Sequence, residues 1–141
     1  MSAADDRVEI LELGARYIQA IDAYDVEACL ATLTDDGYVE VPTGRHDRDE
    51  LAANLRQLRD LGGRYRHLTT QSVIDIDGDE ATQRSYFLFL DLADGKTKLA
   101  NSGTYDDTLR RTPGGWRFVC RRTTLDAPWE LALPGLAEEA S

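Results

Sequence analysis

A carboxylate in the first part of the chain occupies a position where helical periodicity predicts an apolar residue. Apolar residues recur there at steps of four and three: Leu11, Ala15 and Ile18. Asp22 comes at the next step of four, so the spacing places it on the helix face that turns toward the core. Burial destabilises an ionised carboxylate unless a donor or cation meets it. The position therefore indicates either a functional carboxylate or a helix that ends at Ile21 and leaves Asp22 in solvent.

His67 is the second candidate, and it is one of only 2 histidines in the chain. It lies in the first extended segment, in the run from Tyr65 to Thr69. A histidine whose other ring nitrogen is held by a carboxylate works as a general base near neutral pH. If its side chain points inward, strand alternation directs Thr69 and Gln71 inward as well. A structural histidine in a strand is the alternative.

Other kinds of chemistry lack the spacing that they need. His46 and His67 form neither an H-x-x-x-H nor an H-E-x-x-H motif, and His46 is predicted to be exposed in a polar loop. Cys29 and Cys120 form no C-x-x-C motif, and the chain has no G-x-S-x-G nucleophile elbow. We therefore predict no metal ion and no cofactor, and free cysteines in a reducing compartment.

Three helices are predicted in the first half of the chain, over about 5–23, 26–33 and 48–61. Asp5 and Asp6 are the predicted caps of the first helix, and Asp25 is the cap of the second. A capping box beginning at Asp47 starts the third, and two glycines end it. A short strand over 38–41 precedes the third helix.

Four long strands follow, over about 65–76, 82–92, 98–111 and 116–125. Turn signals of the Asp-Gly and Pro-Gly-Gly type separate them. Helices followed by an antiparallel meander predict an α+β protein. Because long strands twist strongly, we expect a conical α+β barrel, with three N-terminal helices packed on the concave face of a strongly curved, mainly antiparallel sheet and a cavity beside the first helix.

The composition limits the partners of the protein. Its 141 residues include 26 acidic and 16 basic side chains, for a net charge of −10, and 42% are hydrophobic. This length predicts a single domain over 1–141, with a core over about 8–126 and a tail, 127–141. Trp129 makes the tail apolar, so it is expected to cover the pocket or an interface, or to dock loosely. The charge argues against binding nucleic acid or anionic membranes, and without a signal peptide we expect a cytoplasmic protein.

Several short segments resemble a known family, in the same order along the chain. They are Arg16 to Asp22 followed by Asp25, Leu33-Thr34-Asp35-Asp36, Arg66-His67-Leu68, Ser85-Tyr86, Ser102-Gly103-Thr104-Tyr105 and Gly115-Trp116-Arg117-Phe118. Together they resemble the SnoaL-like group of the nuclear transport factor 2 superfamily, over about residues 8–126. The resemblance implies the same conical fold that the order of elements predicts.

Within that superfamily the chain is most similar in site pattern to scytalone dehydratases, a bile-acid dehydratase and hexachlorocyclohexane dehydrochlorinase. These lyases share an aspartate near the end of helix 1 and a histidine on the first long strand, and Asp22 and His67 fall on those positions. The resemblance implies that Asp22 orients His67, which removes a proton from carbon in an elimination. It also implies that Tyr17 donates a hydrogen bond, with core packing as the alternative, and that Arg121 binds the substrate.

The sequence departs from these relatives at several pocket positions. Phe87 or Phe89 stands where some relatives carry a second acidic residue or a histidine. Gly103 and Tyr105 stand where the scytalone enzymes have serine and asparagine. The resemblance thus implies a more apolar pocket, and the residues expected to contact the substrate are Arg121, Tyr105, Phe87, Phe89, Thr69 and Trp129.

These observations predict a cofactor-independent lyase or isomerase, of the dehydratase or cyclase type. Its expected substrate is a small hydrophobic cyclic molecule such as a polyketide or terpenoid intermediate. The alternative is a non-catalytic domain that binds a small hydrophobic ligand in the same pocket. The resemblance also implies a homo-oligomer, with a dimer favoured, because the open face of such a sheet commonly pairs with another copy in this superfamily.

Overall fold

The computed structural model describes residues 2–128 of the chain. Within this part, the helices are α1 (Ala3–Asp22), α2 (Val26–Leu30) and α3 (Arg48–Leu61). The strands are β1 (Leu33–Val41), β2 (Gly44–Asp47), β3 (Tyr65–Asp77), β4 (Glu80–Asp91), β5 (Lys98–Thr112) and β6 (Gly115–Leu125). A short 3₁₀ turn, Ala93–Gly95, joins β4 to β5.

The strands form one open sheet in the order β2-β1-β6-β5-β4-β3. Neighbouring strands are antiparallel except β1 and β6, which run parallel. Three consecutive hairpins connect β3 to β6, at the turns that the sequence indicates. The predicted α+β cone, with helices on one face of a mainly antiparallel sheet, is confirmed.

The core lies between α1 and the sheet face that it covers. Ile10 on α1, Leu109 on β5 and the large rings of Trp116 and Phe118 on β6 are fully buried there. Complete burial of a side chain of this kind contributes about 1.5–3 kcal/mol, so these contacts hold α1 on the sheet. No helix between residues 2 and 128 is long and apolar enough to cross a membrane.

Asp6 connects the beginning of α1 to the hairpin between β5 and β6. Its carboxylate accepts hydrogen bonds from Arg111 Nη1 at 2.7 Å, Arg111 Nη2 at 2.9 Å and Trp116 Nε1 at 3.0 Å. The Arg111 bonds, and then the Trp116 bond, lower the pKa of Asp6 to about 2. The predicted caps of this helix are therefore wrong: Ser2 is the N-cap, in a capping box with Asp5.

Two further predictions in the first half, the end of the second helix and the start of the first strand, need correction. The second helix, α2, ends at Leu30 rather than at about residue 33. β1 begins at Leu33 rather than at Tyr38, because the parallel pairing with β6 already starts there and Leu33 lies opposite Phe118. Gly37 allows this approach, since a Cβ atom at that position would lie 3.0 Å from the Phe118 carbonyl oxygen. The short strand β2, which pairs with β1, was not predicted.

A bulge in β3 changes which side chains face the interior. The pairing with β4 shifts between Thr70 and Val73, and Gln71 has a φ of 56°. The extra residue turns Gln71 outward, where it is exposed, and brings Ser72 to the same face as Thr69. The alternation that predicted an inward Gln71 is therefore wrong beyond Thr69.

A second bulge, in β6, changes the face of the sheet to which Arg121 points. Neighbouring residues of β5 pair with Phe118 and Cys120, which leaves Val119 as an extra residue in β6. Arg121 therefore faces the same side as Phe118, with its guanidinium carbon 4.4 Å from the centre of that ring. Simple alternation along the strand would place the two on opposite faces.

Candidate functional site

Asp22 and His67 meet where the end of α1 lies beside the start of β3. The His67 ring nitrogen Nδ1 lies 2.7 Å from Asp22 Oδ1, and the His67 backbone N–H donates to Asp22 Oδ2 at 3.1 Å. Both side chains are mostly buried, with 18% and 17% of their surfaces exposed. The helix continues to Asp22, so the alternative of a solvated carboxylate beyond the helix end does not hold.

The two hydrogen bonds determine which ring nitrogen of His67 carries hydrogen and which can accept a proton. One carboxylate oxygen holds the backbone of the strand and the other holds the ring, so the imidazole cannot turn freely. In its neutral form the ring donates its Nδ1 hydrogen to the carboxylate, and this assignment follows from the hydrogen-bond network. The lone pair then lies on Nε2, which leaves that atom as a proton acceptor.

A cavity of about 460 Å³ lies between α1 and the sheet and includes both residues. Its volume is in the range of sites that bind small molecules. The helix side is mainly apolar and small, and the sheet side is mainly polar. The lining residues are Leu11, Gly14, Ala15, Ile18, Gln19 and Asp22 from α1 and Arg66, His67, Leu68, Thr69, Ser72, Gln83 and Arg121 from the sheet. The stripe from Leu11 to Asp22 therefore faces the cavity, while Ile10, Leu13 and Tyr17 face the core.

Arg121 reaches the cavity from β6 and is held by Asp107 on β5. Arg121 Nε and Nη2 donate to the two carboxylate oxygens of Asp107 at 2.9 Å each, and neither side chain has any exposed surface. Burial raises the pKa of Asp107, and the Arg121 guanidinium opposes that rise. The rings of Tyr17, Tyr105 and Phe118 lie 4.7, 4.0 and 4.4 Å from the guanidinium carbon. These contacts hold one cation rigidly against the cavity.

Four buried polar atoms on the sheet strands β3, β4 and β6 lack a hydrogen-bond partner within the described residues. They are Thr69 Oγ1, Gln83 Oε1, Ser85 Oγ and Arg121 Nη1. An unsatisfied buried polar group costs about 1–3 kcal/mol, more for a charged one, so native proteins seldom keep such groups together without a role. Three of the four belong to residues that line the cavity.

The predicted aromatic contacts lie behind the cavity rather than on its surface. Phe87 and Phe89 on β4 and Tyr105 on β5 are buried in the core and do not line the cavity described above. Phe89 packs on the His67 ring with centroids 4.7 Å apart, and Phe87 stacks on Tyr105 at 4.4 Å. Phe89 therefore packs against His67, and Tyr105 packs against Arg121, within the core. Thr69 does line the cavity, as expected.

Tyr17 is likewise a core residue in this structure. Its ring meets Phe118 edge-on at 5.8 Å, and burial raises its pKa well above the usual value for tyrosine. Trp129, the remaining predicted contact, lies outside the described residues. Cys29 and Cys120 are both free and buried. Between residues 2 and 128, no group of three or more His, Cys, Asp or Glu residues is arranged to hold a metal ion.

Sequence reasoning missed four polar residues that line the cavity, Gln19, Arg66, Ser72 and Gln83, and it missed Asp107, which holds Arg121. A signal for Gln83 was present, because β4 alternates strictly and the inward positions of Phe87 and Phe89 also imply an inward Gln83. Ser72 depends on the β3 bulge, which leaves no mark in the sequence.

The fold and site together define a protein with a curved sheet covered by helices and a cavity between α1 and the sheet that has one apolar and one polar side. Residues 2–122 match the model of the SnoaL-like domain, and the chain belongs to this family. This confirms the resemblance inferred from the sequence segments.

Individual relatives cover most of the chain. An NTF2-like protein with a cystatin-like fold from Novosphingobium aromaticivorans is 29% identical, with a TM-score of 0.81, over 93% of this chain and 88% of that one. ActVI-ORFA from Streptomyces coelicolor is 27% identical, with a TM-score of 0.75, over 85% of this chain and 97% of that one. The anthranilate 1,2-dioxygenase small subunit of Burkholderia cepacia is 29% identical, over 84% of this chain and 85% of that subunit.

Proposed function

We propose that the protein is a cofactor-independent lyase or isomerase that removes a proton from carbon in a small hydrophobic cyclic molecule. The observation that carries the proposal is the 2.7 Å contact between Asp22 Oδ1 and His67 Nδ1 at the wall of the cavity. A carboxylate in this position fixes the ring and stabilises the imidazolium that forms when Nε2 takes a proton.

Arg121 supplies the second element of the proposed chemistry. Removal of a proton beside a carbonyl group shifts the electron pair of the C–H bond to the carbonyl oxygen. The unpartnered Nη1 of Arg121 is a charged donor for that oxygen, and it is preorganised by Asp107. In a dehydration, the enolate then expels a hydroxyl group from the next carbon, and the proton on His67 converts it to water. In an isomerisation, the proton returns to a different carbon.

The exchange of carbon-bound hydrogen for deuterium tests the step that these reactions share. We choose 2-tetralone, a bicyclic ketone with acidic hydrogens beside the carbonyl, and follow their loss in D₂O by proton NMR. The rate should rise in proportion to the protein concentration. General-base catalysis typically contributes about 10²–10⁴-fold, so His67→Ala and Asp22→Asn should lower the protein-dependent rate on that scale.

A matched control is provided by the other histidine. His46 lies on β2, with Nδ1 3.7 Å from Glu50, and does not line the cavity. His46→Ala should therefore leave the exchange rate unchanged. Exchange that continues undiminished in both His67→Ala and Asp22→Asn would refute the proposed base.

The hydrogen-bond role that the resemblance implies for Tyr17 is tested by a separate variant. Tyr17→Phe keeps the ring that packs on Phe118 and Arg121 and removes only the hydroxyl group. If the hydroxyl donates a hydrogen bond to the reacting molecule, the exchange rate falls while the melting temperature stays constant. A fall in both would instead favour a packing role.

A second candidate function is a non-catalytic domain that binds a hydrophobic ligand or serves as a subunit of a larger enzyme. The relative that is named as a dioxygenase small subunit supports this candidate. It predicts that 2-tetralone binds in the cavity but exchanges no faster with wild-type protein than with His67→Ala.

We also propose a homodimer that works in the cytoplasm. Support for the dimer comes from three exposed apolar side chains: Tyr86 and Leu88 on the outer face of β4, and Leu68 on β3, which also borders the cavity; they are 55%, 40% and 47% exposed. Leu68 and Leu88 lie opposite each other in the two strands and form part of one continuous surface. A contiguous exposed apolar surface of this kind is typical of an interface with another protein chain.

A further inference from the structure

The chain leaves the end of α1 through a residue in a backbone conformation that favours glycine. Tyr24 has a φ of 55°. The Tyr24 N–H donates to the Ile21 carbonyl at 3.1 Å, and the Asp25 N–H donates to the Ala20 carbonyl at 2.9 Å, as in turns that commonly end helices. At the end of α3 the same chain uses a glycine, Gly62, with a φ of 75°. The Cβ atom of a tyrosine makes this conformation costly, so its presence here indicates a role for the side chain.

The side chain of Tyr24 reaches the segment that leads into β3. Its hydroxyl group donates a hydrogen bond to the Gly63 carbonyl oxygen at 2.6 Å. Burial, and then the nearby Tyr65 and Asp22, raise the pKa of Tyr24, so the hydroxyl group keeps its proton and remains a donor. The bond therefore joins the end of α1 to the segment just ahead of His67.

The Gly63 carbonyl group is itself held in place by packing. A Cβ atom at position 63 would overlap with the Tyr65 ring, so glycine lets that ring lie directly against the backbone. The Tyr65 ring stacks on Phe89 with centroids 5.0 Å apart, and Phe89 packs on the His67 ring at 4.7 Å. The acceptor of the Tyr24 bond thus belongs to the same packed group as the His67 ring.

In the described part of the chain, three hydrogen bonds join the end of α1 to the beginning of β3. Two are made by Asp22, to the ring and to the backbone of His67, and the third runs from Tyr24 to Gly63. Because β3 is an edge strand, the sheet holds it from one side only. We propose that Tyr24 is a positioning residue: its hydroxyl group fixes the end of α1 against Gly63 and so keeps the Asp22 carboxylate in contact with His67. The proposal rests on the proposed function only where it concerns the rate of reaction.

Amide hydrogen exchange at His67 measures how often the end of α1 leaves β3. The His67 N–H donates to Asp22 Oδ2 at 3.1 Å, so it exchanges when that contact opens. Tyr24→Phe keeps the ring and removes only the donor. Loss of a hydrogen bond of ordinary strength changes such an equilibrium by about threefold to tenfold, so the His67 amide should exchange faster by that factor. The amide of Leu109, a fully buried residue on β5, reports opening of the whole domain and should keep its wild-type rate.

Tyr24→Gly separates the role of the side chain from that of the turn. Glycine suits a φ of 55° better than tyrosine does, so this variant would slow exchange of the His67 amide if Tyr24 only formed the turn. The positioning role predicts faster exchange, as in Tyr24→Phe, because both variants lack the hydroxyl group. Tyr86→Phe is the matched control. Tyr86 is 55% exposed on the outer face of β4, so loss of its hydroxyl group should change neither amide.

Deuterium exchange in 2-tetralone gives the functional readout. Tyr24 does not line the cavity, so Tyr24→Phe should lower kcat and leave KM unchanged. A misplacement of about 1 Å can lower a rate by about 10²-fold, so a shift of about half that size predicts a fall in kcat of about tenfold.

Three results would overturn the positioning role. A His67 amide that keeps its wild-type rate in both Tyr24 variants shows that the bond does not hold Asp22. Equal acceleration at Leu109 assigns the effect to the stability of the whole domain. An accelerated His67 amide with an unchanged kcat shows that the contact does not limit the reaction. Wild-type protein that exchanges no deuterium into 2-tetralone refutes the proposed base instead, and the two amides then test Tyr24 alone.

Discussion

The buried ion pair between Arg121 and Asp107 leads to an asymmetric prediction about stability. Asp107→Asn keeps the size of the side chain but leaves the Arg121 cation without a counter-ion, in a position with no exposed surface. A guanidinium group cannot release its proton in a protein, so the charge stays. Arg121→Met leaves the Asp107 carboxyl group instead, and this group can become neutral by taking up a proton. The first variant should therefore be the more damaging.

The magnitude follows from the burial of the pair. Removing one partner of a fully buried ion pair costs about 3–5 kcal/mol. A domain of this kind has a free energy of unfolding of about 5–15 kcal/mol, so Asp107→Asn should remove a large part of it. The melting temperature should fall by roughly 10–20 °C. At low pH, Arg121→Met should lower the free energy of unfolding by clearly less than Asp107→Asn does.

The pH dependence of Arg121→Met provides a second test. Burial raises the pKa of Asp107, and without Arg121 nothing opposes that rise. The folded protein then holds a proton that the unfolded chain has released, so stability is fully present below about pH 4, the unfolded value. It is lost as pH rises through the folded pKa. Arg121→Met should therefore have a higher urea midpoint at pH 5 than at pH 8.

Urea denaturation monitored by circular dichroism at pH 5 and pH 8 measures both effects. Asp106→Asn is the matched control. Asp106 directly precedes Asp107 and pairs with Arg84 at 3.5 Å on the exposed face. An exposed pair contributes about 0–1 kcal/mol, so this variant should unfold nearly as wild-type protein does. The reasoning is refuted if Asp107→Asn is no less stable than Asp106→Asn. It is also refuted if Arg121→Met loses stability toward acid.

Three further predictions concern other parts of the molecule. The lowered pKa of Asp6, about 2, means that its contribution to stability is present above the unfolded value and is lost as pH falls from about 4 to 2; in an acid titration Asp6→Asn should lose this component. Gln71→Gly should raise the free energy of unfolding by about 1 kcal/mol, because the backbone there has a φ of 56°, which glycine adopts without strain. A urea midpoint below that of wild-type protein would contradict the strain. Light scattering should give about twice the monomer mass of 15.7 kDa, and the double variant Tyr86→Asp, Leu88→Lys should give the monomer mass; a monomeric wild-type protein at micromolar concentration would contradict the dimer.

The main features of the fold were accessible from sequence because they depend on local signals. The Asp-Gly turns, the capping box at Asp47 and the helical stripe ending at Asp22 each act over a few residues, and the structure has all of them. The meeting of Asp22 with His67, 45 residues apart, was predicted only from the resemblance, which pairs these two positions.

The missed features depend on contacts between distant parts of the chain. The early start of β1 at Leu33 comes from parallel pairing with β6, which no local sequence pattern predicts. The extra residues at Gln71 and Val119 are set by strand register, and each reverses the faces that simple alternation predicts. This is why alternation alone would put Arg121 and Phe118 on opposite faces, whereas in the structure they share one.

The orientation of the His67 ring is the point on which the proposed function depends most. We expect nitrogen-15 NMR of the neutral imidazole, in wild-type protein, to show hydrogen on Nδ1 and a bare Nε2. This follows because Nδ1 lies 2.7 Å from the Asp22 carboxylate. In Asp22→Asn the preference for this tautomer should be lost. A wild-type ring that carries its hydrogen on Nε2, with Nδ1 bare, would contradict the account, because no lone pair would then be available to take a proton from a molecule in the cavity.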